Sequence, residues 1–239
     1  MGIVLSIFLL CCSCVEWKCL MSLKSLVFFL LVLLTSSVFA QDDSSKRQIL
    51  KPPAGAKVAI ISFEDFECPD CGRAHPLLVE MSKKYSIPLV RHDFPLPQHP
   101  WAMQAALINR YIESKNPKLA SEYRDQVYAN QPQFGEDADK FRTWAMQWAS
   151  SHGVPIPFVI DPEGKFKEAI DRDRDLGRRI NIEHTPTIYV VTNSPAAQQP
   201  FVEVVDRTQL AQIIEDAKRA AGPDTAPTHT RTAHRTKKS

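Results

Sequence analysis

The sequence predicts an α/β fold interrupted by an inserted helical subdomain, and three observations predict it. Strand-like apolar runs at Lys57–Phe63 and Ile87–Phe94 flank Gly72–Tyr85, where Ala74, Leu77, Leu78 and Met81 share one helical face, the pattern of a parallel crossover. Between about residues 100 and 180 the periodicity turns helical, with apolar side chains three or four apart. Strand-like runs then return at Thr187–Thr192 and Phe201–Val205, followed by an amphipathic stretch at Thr208–Arg219.

Taken in order, residues 1–40 form a leader region with two apolar stretches, Ile3–Cys14 and Leu23–Val38. The second reads as a signal peptide starting at Met21. Lys24 gives it a basic start, Leu26–Leu34 its apolar core, and Val38-Phe39-Ala40 a small-x-small cleavage site. Cleavage after Ala40 predicts a protein of the periplasm or another extracytoplasmic space. The competing reading is an uncleaved membrane anchor, because the stretch approaches the length of a span. Residues 41–56 form a polar lead-in to the first strand.

The predicted folded domain covers residues 57–220, with the insertion at about 100–180. Helices are expected at Trp101–Ser114, Pro117–Ala129 and Asp137–Ser151, and a charged, partly exposed one at Phe166–Ile180 after the turn signal Asp161-Pro162-Glu163-Gly164. Trp144 and Trp148 lie one turn apart beside Phe141 and Ala145, which points to a packed ridge rather than a binding stripe. Thr187–Thr192 and Phe201–Val205 are placed to pair as a hairpin. Residues 221–239 are Thr-rich and basic without apolar periodicity, and read as a disordered tail.

Composition narrows the function. Twenty-nine Lys and Arg against 27 Asp and Glu leave a formal charge of +2, which lacks the concentrated positive surface of a nucleic-acid binder. Of six cysteines, four fall within residues 1–40, so the folded part retains Cys68 and Cys71 alone. A chain this long buries a core without staples, and its cysteine pair is better explained as chemistry.

In Cys68-Pro69-Asp70-Cys71 the proline starts a helix whose free N–H groups and dipole favour a thiolate at Cys68, while Cys71 lies deeper in the first turn. Cys68 is therefore the expected nucleophile and Cys71 the resolving thiol. A static disulfide would close too small a loop to stabilise much. No metal site is expected: His75 follows Cys71 by one turn, but there is no second CxxC or spaced His pair to complete four ligands. Glu64, Asp65, Glu67 and Asp70 surround the pair in sequence, and their charge is expected to raise the Cys68 pKa against the helix dipole. Pro69, Asp70, Glu64 and His75 are the candidate redox-tuning residues. For Asp70 an ordinary capping role competes with tuning, and Glu64 reads as acidic decoration more than as a base. His75 and Arg73 are the cations that would offset this acidity.

The CPDC helix start, the helical insertion, and His184-Thr185-Pro186-Thr187 just before a strand resemble the DsbA-like branch of the thioredoxin-fold superfamily over Lys57–Arg219. Asp93-Phe94-Pro95-Leu96 and His99-Pro100-Trp101-Ala102 resemble its Thioredoxin_4 subgroup. The resemblance implies a thioredoxin fold with an inserted helical subdomain and a thiol:disulfide oxidoreductase that needs no cofactor. It implies that Pro186 is cis and faces Cys68, and that Thr185 helps receive an extended partner segment. The implied partners are cysteine-containing exported proteins and a membrane DsbB-like or vitamin-K-epoxide-reductase-like protein that restores the disulfide, with a monomer as the default state.

Two departures stand out. The family often places a buried carboxylate six residues before the first cysteine, where this chain has Ser62. Its strongly oxidising members carry CPHC, and Asp70 cannot supply the cation of a protonated His, so a less stabilised thiolate and a less oxidising protein are expected. The alternatives are a reductase or disulfide isomerase using the same pair, and a nonenzymatic polypeptide-binding chaperone or metal-binding module.

Overall fold

The computed structural model describes residues 44–222. The leader, its cleavage site and the tail from residue 223 lie outside the described residues. The chain divides into residues 1–46 and 47–239, and the fold below belongs to the second unit.

Its centre is a four-stranded sheet in the order β2-β1-β3-β4. β1 (Val58–Glu64) is buried at every position, as a strand covered on both faces must be. It runs parallel to β2 (Leu89–Asp93), with Glu64 opposite Asp93, and antiparallel to β3 (Thr187–Thr192), with Phe63 opposite Thr187. β3 pairs antiparallel with the short β4 (Phe201–Glu203), the predicted hairpin.

The crossover helix α1 (Pro69–Tyr85) begins at Pro69, as the CPDC turn leads one to expect. Proline fits the first helical position because its missing N–H would have had no partner there. The helix ends at Ser86 in the left-handed region, whose N–H returns to the carbonyl of Lys83. The insertion comprises α2 (Ala102–Lys115), α3 (Pro117–Phe134), α4 (Ala138–Ser151) and α5 (Lys165–Arg179). Asn116 and Asp137 cap α3 and α4 with their side-chain oxygens. α3 continues to Phe134, past the expected end at Ala129 and through Pro132, because Gln131 and Phe134 are buried and their contacts hold the last turn. A 3-10 turn at Arg207–Gln209 leads into α6 (Leu210–Ala221).

Three apolar clusters hold these layers. On one face of the sheet Val58, Ile60, Ile188 and Val190 meet Ala74, Leu78 and Met81 of α1 and Leu210 and Ile214 of α6. On the other, Ala59, Ile61, Phe63 and Val191 pack with Phe94, Ile180 and Leu50. The lead-in is thus not wholly polar: Leu50 is buried, and its contacts with residues far along the chain could not be read locally. The third cluster is the core of the insertion, where Trp101 stacks on Phe141 at 4.4 Å and Tyr123 sits 6.3 and 5.4 Å from Trp144 and Trp148. Phe66, Cys68 and Cys71 belong to this cluster, so the cysteines lie at the seam between sheet and insertion. Among the described residues no helix is long and apolar enough to cross a membrane.

Candidate functional site

Both cysteines are free thiols at the start of α1. Cys68 holds the N-cap position with extended backbone and no side-chain cap, so its sulfur replaces a capping oxygen at the end where the helix N–H groups are unsatisfied. Its carbonyl accepts from the Gly72 N–H, and its Sγ donates to the Thr185 carbonyl at 3.2 Å. The Thr185–Pro186 peptide is cis. This brings the late His184-Thr185-Pro186 segment against the CPDC turn. Cys68 is 7% exposed and Cys71 2%, so both are buried and Cys71 the more deeply. The Cys71 Sγ instead accepts from the Asp65 N–H at 3.4 Å.

The two thiols are driven in opposite directions. Hydrogen bonding from the Cys71 thiol lowers the Cys68 pKa to about 5 against the opposing effect of burial, and the Thr185 hydroxyl and the N–H groups of Cys71 and Asp70 add to it. The Thr185 Oγ1 is buried with no other partner, which leaves it free to turn toward a thiolate. Burial raises the Cys71 thiol well above its usual range, and the adjacent Cys68 and Glu64 raise it further. Between the two opposing influences expected at Cys68, the hydrogen bonds at the helix start outweigh the acidic crowding.

The reason is that each of those carboxylates is engaged elsewhere. Asp65 accepts from the Glu67 and Leu96 N–H groups, both at 2.7 Å, and is hydrogen-bonded to His99 Nδ1 at 2.7 Å. Glu67 accepts from the Trp101 N–H at 2.7 Å, and burial pushes its pKa up to about 7. Asp70 is not a cap. Its Oδ1 accepts from Arg207 Nη2 at 2.8 Å and Arg73 Nε at 3.2 Å, which hold its pKa down against the opposing effect of burial.

Glu64 is no decoration either. It is 2% exposed, and its Oε2 accepts from Arg124 Nη1 and Tyr128 Oη, both at 3.1 Å, while Arg91 Nε lies 3.4 Å from Oε1. Burial alone would raise its pKa, but Arg124 and Arg91 hold it below the usual carboxylate value. Arg124 also donates to Asp93 at 3.1 Å, and Arg110 joins Asp93 at 2.8 Å to Asp173 at 2.7 Å. A continuous charged seam thus binds β1 and β2 to α2, α3 and α5. His75 pairs with Asp125: its Nε2 is 2.6 Å from that carboxylate, and burial lowers its pKa.

Sequence reasoning missed three residues of this site. Gln131 of α3 donates to the Phe66 carbonyl at 2.6 Å and the Cys68 carbonyl at 3.1 Å, pinning the backbone on which the nucleophile sits. A Cβ on Gly72 would collide with its Oε1, so a side chain there would displace the Gln131 amide from this position. Arg124 and Arg207 are the other two. All three are single polar residues on helical or turn segments far from the cysteines, and their spacing carries no signal.

Among the described residues no cluster of His, Cys, Asp and Glu is arranged to hold a metal ion. A groove of about 180 Å³ beside the cis proline is lined by residues that include Asp70, His184, Pro186, Glu203 and Arg207.

The comparisons agree with this geometry. A family model described as Thioredoxin (Thioredoxin_4) matches residues 53–206. The disulfide bond formation protein D of Bacillus subtilis (strain 168) is 22% identical over 152 residues, a match that covers 56% of this chain and 64% of the Bacillus protein. Among solved structures, the catalytic domain of Proteus mirabilis ScsC is similar at a TM-score of 0.55 and 18% identity, over 74% of this chain and 97% of that one. Wolbachia pipientis alpha-DsbA1 is similar at a TM-score of 0.56 and 14% identity, over 72% and 91%. With the cysteine pair at the head of α1, the cis proline against it and the helical insertion between β2 and β3, the chain belongs to the Thioredoxin_4 family and is a DsbA-like protein of the thioredoxin fold.

Proposed function

We propose that the protein is an exported thiol:disulfide oxidase that forms disulfides in partner proteins through Cys68 and Cys71. The observation that supports this reading is the inequality of the two thiols: Cys68 sits at the N-cap of α1 against the Thr185 carbonyl with its pKa lowered, and Cys71 lies deeper with its pKa raised. A stabilised Cys68 thiolate favours the reduced protein, which makes its disulfide a better oxidant. On this reading the hydrogen bonds to Cys68 outweigh the effect of Asp70, from which alone a weaker oxidant is expected.

In the oxidised protein a substrate thiolate attacks the Cys68 sulfur. The Cys68–Cys71 bond breaks, a substrate–Cys68 disulfide forms, and Cys71 leaves with the electron pair and takes up a proton. A second substrate thiolate then attacks the substrate sulfur of that mixed disulfide and releases Cys68 as a thiolate. Two electrons pass from substrate to protein, and the substrate leaves oxidised. Thr185 and Pro186 border the segment on which the substrate lies. Re-oxidation is assigned to a membrane DsbB-like or vitamin-K-epoxide-reductase-like partner. Export rests on the leader that ends at Ala40, and the substrates are cysteine-containing exported proteins.

The test is the reduction potential of the pair, with oxidation of a reduced, unfolded substrate protein as the activity. A potential near the oxidising end of the superfamily scale, about −120 mV, supports an oxidase. One near about −270 mV reassigns the pair to a reductase. C68S is expected to abolish turnover, and activity that persists in it would transfer the function to polypeptide binding alone. C71S is expected to accumulate mixed disulfides with its substrates, which identifies them.

A further inference from the structure

We propose that Arg207 is a positioning residue for the redox centre: by gripping both the carboxylate and the carbonyl of Asp70, it sets the electrostatic poise of the Cys68 sulfur. This deepens the reading of Cys68–Cys71 as a redox couple and rests on it.

Arg207 lies in the 3-10 turn that leads into α6, at the far end of the domain sequence from Asp70. Its guanidinium makes two contacts there. Nη2 donates to Asp70 Oδ1 at 2.8 Å, and Nη1 donates to the Asp70 carbonyl oxygen at 3.3 Å. Each contact has its own consequence.

The first cancels the negative charge that lies between the two cysteines in sequence. An uncompensated carboxylate in the first turn of α1 would oppose a thiolate at the N-cap. The second acts through the peptide that joins Asp70 to Cys71. A donor on its oxygen polarises that peptide and strengthens its N–H, which is the Cys71 N–H that supports the Cys68 thiolate.

Arg73 reaches the same Oδ1 with Nη2 at 3.1 Å, but its side chain is 66% exposed against 33% for Arg207. It also lies on the same helix, in an i,i+3 pair of the kind that contributes little at a wet surface, and it does not touch the Asp70 carbonyl. The other charged and titratable groups around this corner are Glu67, one residue before Cys68, His99 and Glu136, which line a pocket with it, and His184 and Glu203 in the groove beside Pro186. None of these has a hydrogen bond to Asp70. Arg207 therefore neutralises the carboxylate of the CPDC turn from a separate part of the fold.

The experiment compares the wild-type protein with R207Q, D70N, R73Q and the R207Q/D70N pair. Two readouts are taken: the pH dependence of thiolate ultraviolet absorbance, and the equilibrium constant of protein disulfide plus two glutathione thiols against protein dithiol plus glutathione disulfide. R207Q is expected to raise the Cys68 pKa by about half to one unit and to lower the equilibrium constant about three- to tenfold. The tenfold limit corresponds to about 30 mV. D70N alone is expected to move both in the opposite direction, the pair to cancel most of the R207Q shift, and R73Q to give less than half of it. A folded R207Q protein with both readouts unchanged overturns the proposal. So does a pair that shifts as far as R207Q by itself, because the effect would then not pass through Asp70. Should R207Q not fold, D70N reads the same coupling, and its failure to lower the Cys68 pKa is the negative result. A wild-type protein that does not exchange with glutathione overturns the redox reading itself, while the thiolate titration still decides whether Arg207 acts on Cys68.

Discussion

The two faces of β1 start alike and end differently. On one, Ala59, Ile61 and Phe63 stay apolar along the strand and pack with Phe94, Ile180 and Val191. On the other, Val58 and Ile60 enter the apolar layer under α1 and α6, but the next two residues on that side are Ser62 and Glu64, both buried. Burying a carboxylate is costly without partners, and here Arg124, Arg91 and Tyr128 supply them. The polar half begins where the strand approaches Cys71. Apolar layers thus cover both faces, and the surroundings of the second sulfur are built where one of them turns polar.

Breaking the charged side is expected to have the largest effect. Arg124→Met removes the cation shared by Glu64 and Asp93 and leaves two carboxylates buried, at a cost of about 3–5 kcal/mol in denaturant unfolding. Phe63→Ala on the apolar side is expected to cost a similar or slightly smaller amount, about 3–4 kcal/mol. The distinction lies in the chemistry: Arg124→Met shifts the pH profile of thiol alkylation, and Phe63→Ala leaves it in place. A shift of equal size in both variants would erase the contrast between the faces.

A third prediction concerns pH. The folded pKa of Cys68 is lowered from 9.0 to about 5. Its contribution to the reduced protein is complete above pH 9 and is lost as pH falls through 5, leaving about 2–3 kcal/mol at pH 7. Glu67 has the opposite sign, because its folded pKa is raised to about 7, so the stability it contributes is present at low pH and lost as pH rises through 7. The difference between wild-type and C68S unfolding midpoints isolates the cysteine and is expected to shrink between pH 7 and pH 5; a constant difference would contradict the lowered pKa. The smallest effect is expected for Glu64→Gln in a C68S background. Removing the charge that raises Cys71 lowers the pH of half-maximal Cys71 alkylation by about one unit; no change would assign Glu64 to stability alone.

Much of the architecture was legible because its signals are local. The apolar run of β1, the helical face of Ala74, Leu78 and Met81, the insertion, the hairpin and the amphipathic α6 each follow from periodicity within a dozen or so residues. The CPDC turn was equally plain. The end of α3 was misplaced because Pro132 resembles a terminator, whereas burial of Gln131 and Phe134 keeps the helix going. Leu50 was read as part of a polar lead-in because its partners lie far away along the chain.

The sequence by itself determined where a nucleophilic pair would sit: a proline-started helix after a buried strand presents Cys68 at the positive end of its dipole. Only the tertiary structure decided how that sulfur is tuned. Four neighbouring acids read as a repulsive cluster until folding assigns each its own partner: Arg124 to Glu64, His99 to Asp65, the Trp101 N–H to Glu67 and Arg207 to Asp70. Electrostatic energy depends on separation in space and on exclusion of water, and neither quantity is written in the order of residues along a chain.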